Sequence, residues 1–191
     1  MGGPSVISDN ISTGNEKAAK ILMKDLVLYC ADIGSVKNGN FGWARLCHEE
    51  IESECNERDS ILDLIRAVVE DLNRGNPVAL GFECPLFVPL PLDPGDLTKA
   101  RVGEGDRPWS AGAGAACLAT GLTEIVWILE KIRAALVDPP DAYLEWNRFR
   151  EAGAGLFLWE AFVTKAAKRN SHQSDAEAAL EIFPFPVACD R

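Results

Sequence analysis

The segment Leu26–Ile33, LVLYCADI, is a nearly continuous apolar run that closes on one lone acid, Asp32. An apolar run without alternation is how a strand buried on both faces reads, as at the centre of an α/β sheet. Everything else in the chain has to be arranged around that strand.

The turn residues of Gly34–Gly39 follow, and Phe41–Cys47, FGWARLC, returns as a second strand to give a hairpin. His48–Cys55 has room for a short third strand. Asp59-Ser60 provides an N-cap for a helix through about Asn73, in which Ile61, Leu62, Leu64, Ile65, Val68, Val69 and Leu72 recur at helical spacing and leave the acids outward. Val78–Cys84, VALGFEC, is a further apolar strand, closing on Glu83 before Pro85. Pro85–Ser110 contains five prolines and reads as a long irregular loop, a feature that in compact domains is usually functional or mobile. Ser110 then caps a helix from Ala111 to about Leu136, with Gly121 as a place for a kink. Asp138–Asp141 is a linker, Leu156–Val163 a strand carrying Glu160, and Ser171–Phe183 a helix capped by Ser171 or Ser174. Strands alternating with helices imply a mostly parallel sheet, made mixed by the hairpin. At 191 residues, and with no internal repeat, the chain has the size of one core, 21–191, behind a polar tail, 1–20.

Composition narrows the setting. The tail lacks the basic start and apolar centre of a secretory signal, and no apolar run is read as reaching the ~20 residues of a membrane span. The six cysteines include buried-looking Cys30, Cys84 and Cys117 and form no CxxC, so a reduced, cytoplasmic chain is expected. Cys47, His48 and Cys55 lie close together but lack a fourth zinc ligand at a familiar spacing. A net charge of −10 disfavours coating of nucleic acid and leaves only local basic clusters for it. These are Lys99, Arg101 and Arg107 in the proline-rich loop, and Lys165, Lys168 and Arg169 further on. No feature fixes an oligomeric state.

The informative pattern is positional. Three apolar strand-like segments each carry an acid at or near the C-terminal end, Asp32, Glu83 and Glu160, and Asp175 lies one turn into the last helix. Ligands of open α/β sheets bind outside the carboxyl ends of the strands. If the strands are neighbours the acids converge, and converging carboxylates repel unless protonated or joined by a cation. Hard oxygen donors without Cys or His select Mg²⁺ or Mn²⁺, which would serve phosphodiester hydrolysis. Around them, His172 can move a proton or touch a phosphate, Arg101 and Arg107 can clamp one, and Ser110 with the amides of Ala111 and Gly112 can bind an anion at a helix start. Each also has a plain structural reading, as a cap, a turn acid or a solvated surface residue.

Ala31-Asp32-Ile33-Gly34 with Gly42-Trp43, Phe82-Glu83-Cys84-Pro85, Trp159-Glu160-Ala161 and Ser174-Asp175-Ala176-Glu177-Ala178-Ala179 together resemble the domain of unknown function 429 family. That family is a set of predicted nucleases of the ribonuclease H-like superfamily, distantly similar to RuvC-type resolvases. The resemblance implies a ribonuclease H-like mixed sheet that starts with a β-hairpin and is flanked by helices. It also implies catalytic acids at Asp32, Glu83, Glu160 and Asp175, of which Asp32, Glu83 and Asp175 hold the metal. The chain departs from the family in reading Leu-Trp-Glu where His-Pro-Glu is common. The leading expectation is a metal-dependent nuclease acting on DNA or RNA. The alternatives are an actin-like nucleotide-binding protein, for which one lobe is too few, and a non-catalytic binding module using Pro85–Ser110, with Trp109 as its anchor.

Overall fold

The strand Val27–Asp32 is buried at every residue, as its unbroken apolar run requires. The structure is a computed structural model and describes residues 26–47, 61–101, 104, 108–162 and 172–182. The elements in chain order are β1 (Val27–Asp32), β2 (Gly42–Cys47), α1 (Ile61–Asn73), β3 (Val78–Phe82), α2 (Gly112–Ala135), β4 (Ala142–Tyr143), α3 (Trp146–Ala152), β5 (Leu156–Glu160) and α4 (His172–Ile182). They form an α/β fold around a five-stranded sheet of order β2-β1-β3-β5-β4. The β1–β2 hairpin is antiparallel, and the other pairings are parallel.

Strand alternation divides the interior in two. On one face Tyr29, Ala31, Leu80 and Phe82 meet Leu64 and Val68 of α1 and Ile128 of α2. On the other, Leu28, Cys30, Ala79 and Phe157 meet Phe149 of α3 and Ala176 and Ala179 of α4. Leu28, Leu64, Leu80, Ile128 and Phe82 are fully enclosed, and burying each contributes about 1.5–3 kcal/mol.

Several sequence expectations change. Asp71 does not face outward: it lies three residues past Val68 and seven past Leu64, on the buried face of α1, and is only 1% exposed. Tyr29, Arg45 and Asn76 satisfy it there. Ser110 does not cap α2. Ala111 holds the N-cap position, while the Ser110 hydroxyl donates to the Thr98 carbonyl at 2.6 Å. Gly121 does not break that helix, because its role is contact. A Cβ there would stand 2.6 Å from Cys84 Sγ, so the missing side chain lets α2 approach the end of β3. The segment after the Asp138–Asp141 linker holds β4 and α3, which were not foreseen. The membrane-length reading is also corrected: α2, at 24 residues and mean hydropathy 1.5, is long and apolar enough to cross a membrane by length and composition. Its small Gly and Ala residues hid this. Here Ile125, Ile128 and Ile132 turn it onto the sheet and α1. The tail 1–20, the strand within His48–Cys55, and His48 and Cys55 of the possible zinc trio lie outside the described residues.

Candidate metal centre

Strand register places the acids. Cys30 pairs with Gly81, and Gly81 with Trp159, so these three form one row on the α4 face. The ladder runs on past β3, with Glu83 N–H donating to the Ala31 carbonyl and Ala161 N–H to the Phe82 carbonyl, both at 2.8 Å. The next row on the same face is therefore Asp32, Glu83 and Ala161. Asp175, in the first turn of α4, comes down onto this row from the helix layer. One carboxylate oxygen from each of Asp32, Glu83 and Asp175 lies within 4.8 Å of the other two. Asp32 and Asp175 are buried, and Glu83 is half-buried.

Three like charges at this spacing repel by about 1 kcal/mol per pair in a water-like medium and by about 4 at an effective dielectric of 20. The donor set fits a hard divalent ion. Opposite ligands of an octahedral Mg²⁺ are separated by about 4.1 Å, twice the metal–oxygen distance, and a Ca²⁺ shell is slightly wider. The floor is apolar. Burial, together with Glu83 and Asp32 nearby, pushes the Cys30 thiol well above its usual range and keeps it neutral. Gly81 is bare because the Trp159 indole lies over it, 2.4 Å from where a Cβ would stand.

Glu160 is not drawn into this cluster. It sits one residue before Ala161 in β5, and alternation turns it to the α1–α2 face with Leu158. Its Oε1 accepts the Leu86 N–H at 2.7 Å and an Arg101 N–H at 2.8 Å. Arg101 also donates through Nε to Glu104 and lies over the Phe87 ring, its guanidinium carbon 4.7 Å from the centroid. Its Nη2 is buried without a hydrogen bond among the described residues. Glu160 and Arg101 thus tie the start and the later part of the Pro85–Ser110 loop to the end of β5. Glu104 extends the tie, accepting the Trp109 N–H at 3.2 Å. Trp109, expected as an interface anchor, is half-buried and donates to the Lys99 carbonyl, and Lys99 itself pairs with Asp96. The Ala111 amide is also engaged, with the Pro108 carbonyl. His172 is the first residue of α4, with its side chain outside the described residues. Arg107, Lys165, Lys168 and Arg169 lie outside them too.

Glu124 was missed. It accepts the backbone N–H of Gly34, two residues past Asp32, and its Oε2 is buried without a hydrogen bond among the described residues. Burial raises its carboxyl above the ordinary range, against the lowering effect of that N–H. With Cys117, Glu160 and Glu124 near it, burial also pushes the Cys84 thiol up to about 12. The signal for Glu124 was present in the sequence: it is the one charged residue in α2 before Glu130. In comparisons with known proteins, no family model, no curated protein and no solved structure matches the chain.

Proposed function

We propose that the chain is a metal-dependent nuclease of the ribonuclease H-like kind, hydrolysing phosphodiester bonds at the Asp32–Glu83–Asp175 cluster with Mg²⁺ or Mn²⁺. The observation that carries this reading is the convergence of three carboxylates from three distant segments at the carboxyl end of a mainly parallel sheet. The strand order, with an antiparallel hairpin at the start and helices on both faces, agrees with that kind of fold. So does the resemblance of the segments around the three acids to the domain of unknown function 429 family.

Divalent ions bound there supply the positive charge that activates water and offsets charge developing on phosphate. The side chains do the rest. Asp32 is fixed at the end of a strand buried at every residue. Glu83 and Asp175 approach it from a neighbouring strand and from the helix layer above, so the donors are held by the fold and need little reorganisation on binding. In the reaction, water oxygen bonds to phosphorus, one P–O ester bond breaks, and the leaving oxygen takes a proton. The overall charge of −10 means that nucleic acid is attracted only at short range, by the ions themselves and by local basic groups.

The test is cleavage of end-labelled single-stranded, duplex and branched DNA and RNA by the whole chain in Mn²⁺ or Mg²⁺. Activity is expected to vanish in excess chelator and to fall at least a thousandfold in Asp32→Asn, whose melting temperature without metal should be no lower than that of the wild type. Undiminished activity in Asp32→Asn removes the proposed centre.

A further inference from the structure

The Pro85–Ser110 loop displays an apolar strip that the described residues leave exposed. Leu90 is 91% exposed and Leu92 105%, while Phe87 and Val88 are more than half exposed. The intervening Pro89 and Pro91 are half-buried, so the two leucines project from a backbone seated on its prolines. This is a fixed display. Leu86 N–H is held by Glu160 at one end, the Phe87 carbonyl accepts from Arg101, and a turn at Pro94–Asp96 closes the other end on Asp93 Oδ1.

Backbone chemistry limits the shape of the strip. Proline fixes φ near −65° at positions 89, 91 and 94, and the residue before each proline is excluded from the helical region. Asp93 accordingly has φ −91° and ψ 123°. No backbone hydrogen bond joins residues 88–92 to the rest of the described chain. The strip is thus an extended, preordered ligand with little entropy left to lose. Pro89 and Pro91 carry no N–H, so a partner strand would find half its ladder missing. What remains is a row of carbonyl acceptors with two leucines and two prolines.

We propose that Phe87–Pro94 is a docking segment for a partner protein that reads extended proline-containing strands through an aromatic-lined groove, with a basic rim facing Asp93 and Asp96. Aromatic grooves of that kind supply indole and phenol donors to the carbonyls and apolar slots to the side chains. Charge selects the rim, because Asp93 lies in the strip itself and the molecule carries −10 overall. The same charge opposes a second copy of this chain as the occupant.

The experiment titrates the full chain with purified SH3, WW and EVH1 domains that have basic groove rims. At least one is expected to bind. Leu90→Ser/Leu92→Ser should weaken that binding tenfold or more without moving the melting temperature, since both side chains lie in solvent. Pro89→Ala/Pro91→Ala should also weaken it, by loosening the backbone. No binding by any of the three domains, or equal affinity of the wild type and the leucine variant, overturns the proposal. So does sedimentation of the wild type as a dimer that the leucine variant dissolves, because a second copy then covers the strip.

Discussion

Two places in this molecule take carboxylates out of water, and they are built on opposite plans. Asp71 is 1% exposed and accepts hydrogen bonds from the Tyr29 hydroxyl at 2.5 Å, from Arg45 Nε at 3.0 Å and from Asn76 Nδ2 at 3.1 Å. Its countercharge is part of the fold, and it ties β1, β2 and the end of α1 together. Asp32, Glu83 and Asp175 instead bring one carboxylate oxygen each within 4.8 Å of the other two. The first arrangement is complete once the chain has folded. The second could hold a cation that comes from outside. Burial of an acid therefore says little about its role until the sign of its neighbours is known.

Asp71→Ala should produce the largest change in stability, since it leaves the Arg45 guanidinium without its carboxylate in a half-buried site. A loss of about 3–5 kcal/mol is expected by chemical denaturation. A loss under 1 kcal/mol would erase the distinction between the two clusters. Acidity probes the same node. Burial pushes the Asp71 carboxyl up, but the hydrogen bonds from Arg45, Tyr29 and Asn76 outweigh this and hold it below its usual range. Its stabilisation is therefore complete above the ordinary carboxylate range and is lost as pH falls through the lower folded-state value. The wild type should lose stability on acidification more steeply than Asp71→Asn.

The metal response should run the other way. Mn²⁺ at a hundred times its dissociation constant is expected to stabilise the wild type by about 2.7 kcal/mol, read as a rise in melting temperature. Asp71→Asn should keep that rise on a lower baseline. Asp32→Asn should lose it and, with one like charge removed, melt slightly above the metal-free wild type. If Asp32→Asn melts lower without metal, Asp32 supports the fold in the manner of Asp71.

The sequence made one half of this contrast legible. β1 could be recognised from its unbroken apolar run, and Asp32 and Glu83 from the way each closes such a run. Asp175 followed from its place one turn into a helix. Asp71 could not be separated from the outward acids of α1, because its partners Arg45 and Tyr29 come from β1 and β2, far away in sequence. Glu124 was overlooked for the related reason that its contact is a backbone N–H of another segment, which no side-chain pattern announces. β4 and α3 are too short to show a period. Glu160 shows the sharpest limit. Strand position was readable, but facing depends on register to a single residue, and it is Ala161, the residue after β5, that shares a row with Asp32 and Glu83.

Glu160→Gln tests that parity and should have the smallest effect. The amide can still accept the Leu86 N–H, and although the charge facing Arg101 is gone, Arg101 keeps Glu104 as its ion partner, so about 1 kcal/mol is at stake. The loss should be local: faster proteolytic cleavage within Pro85–Ser110, with the Mn²⁺-induced rise in melting temperature equal to that of the wild type. A weakened Mn²⁺ response would put the Glu160 carboxylate among the ligands, and the row of Asp32, Glu83 and Ala161 would no longer describe the site. An unchanged response joined to a looser loop makes Glu160 a second Asp71, an acid that already has its cation and uses it to hold chain segments together.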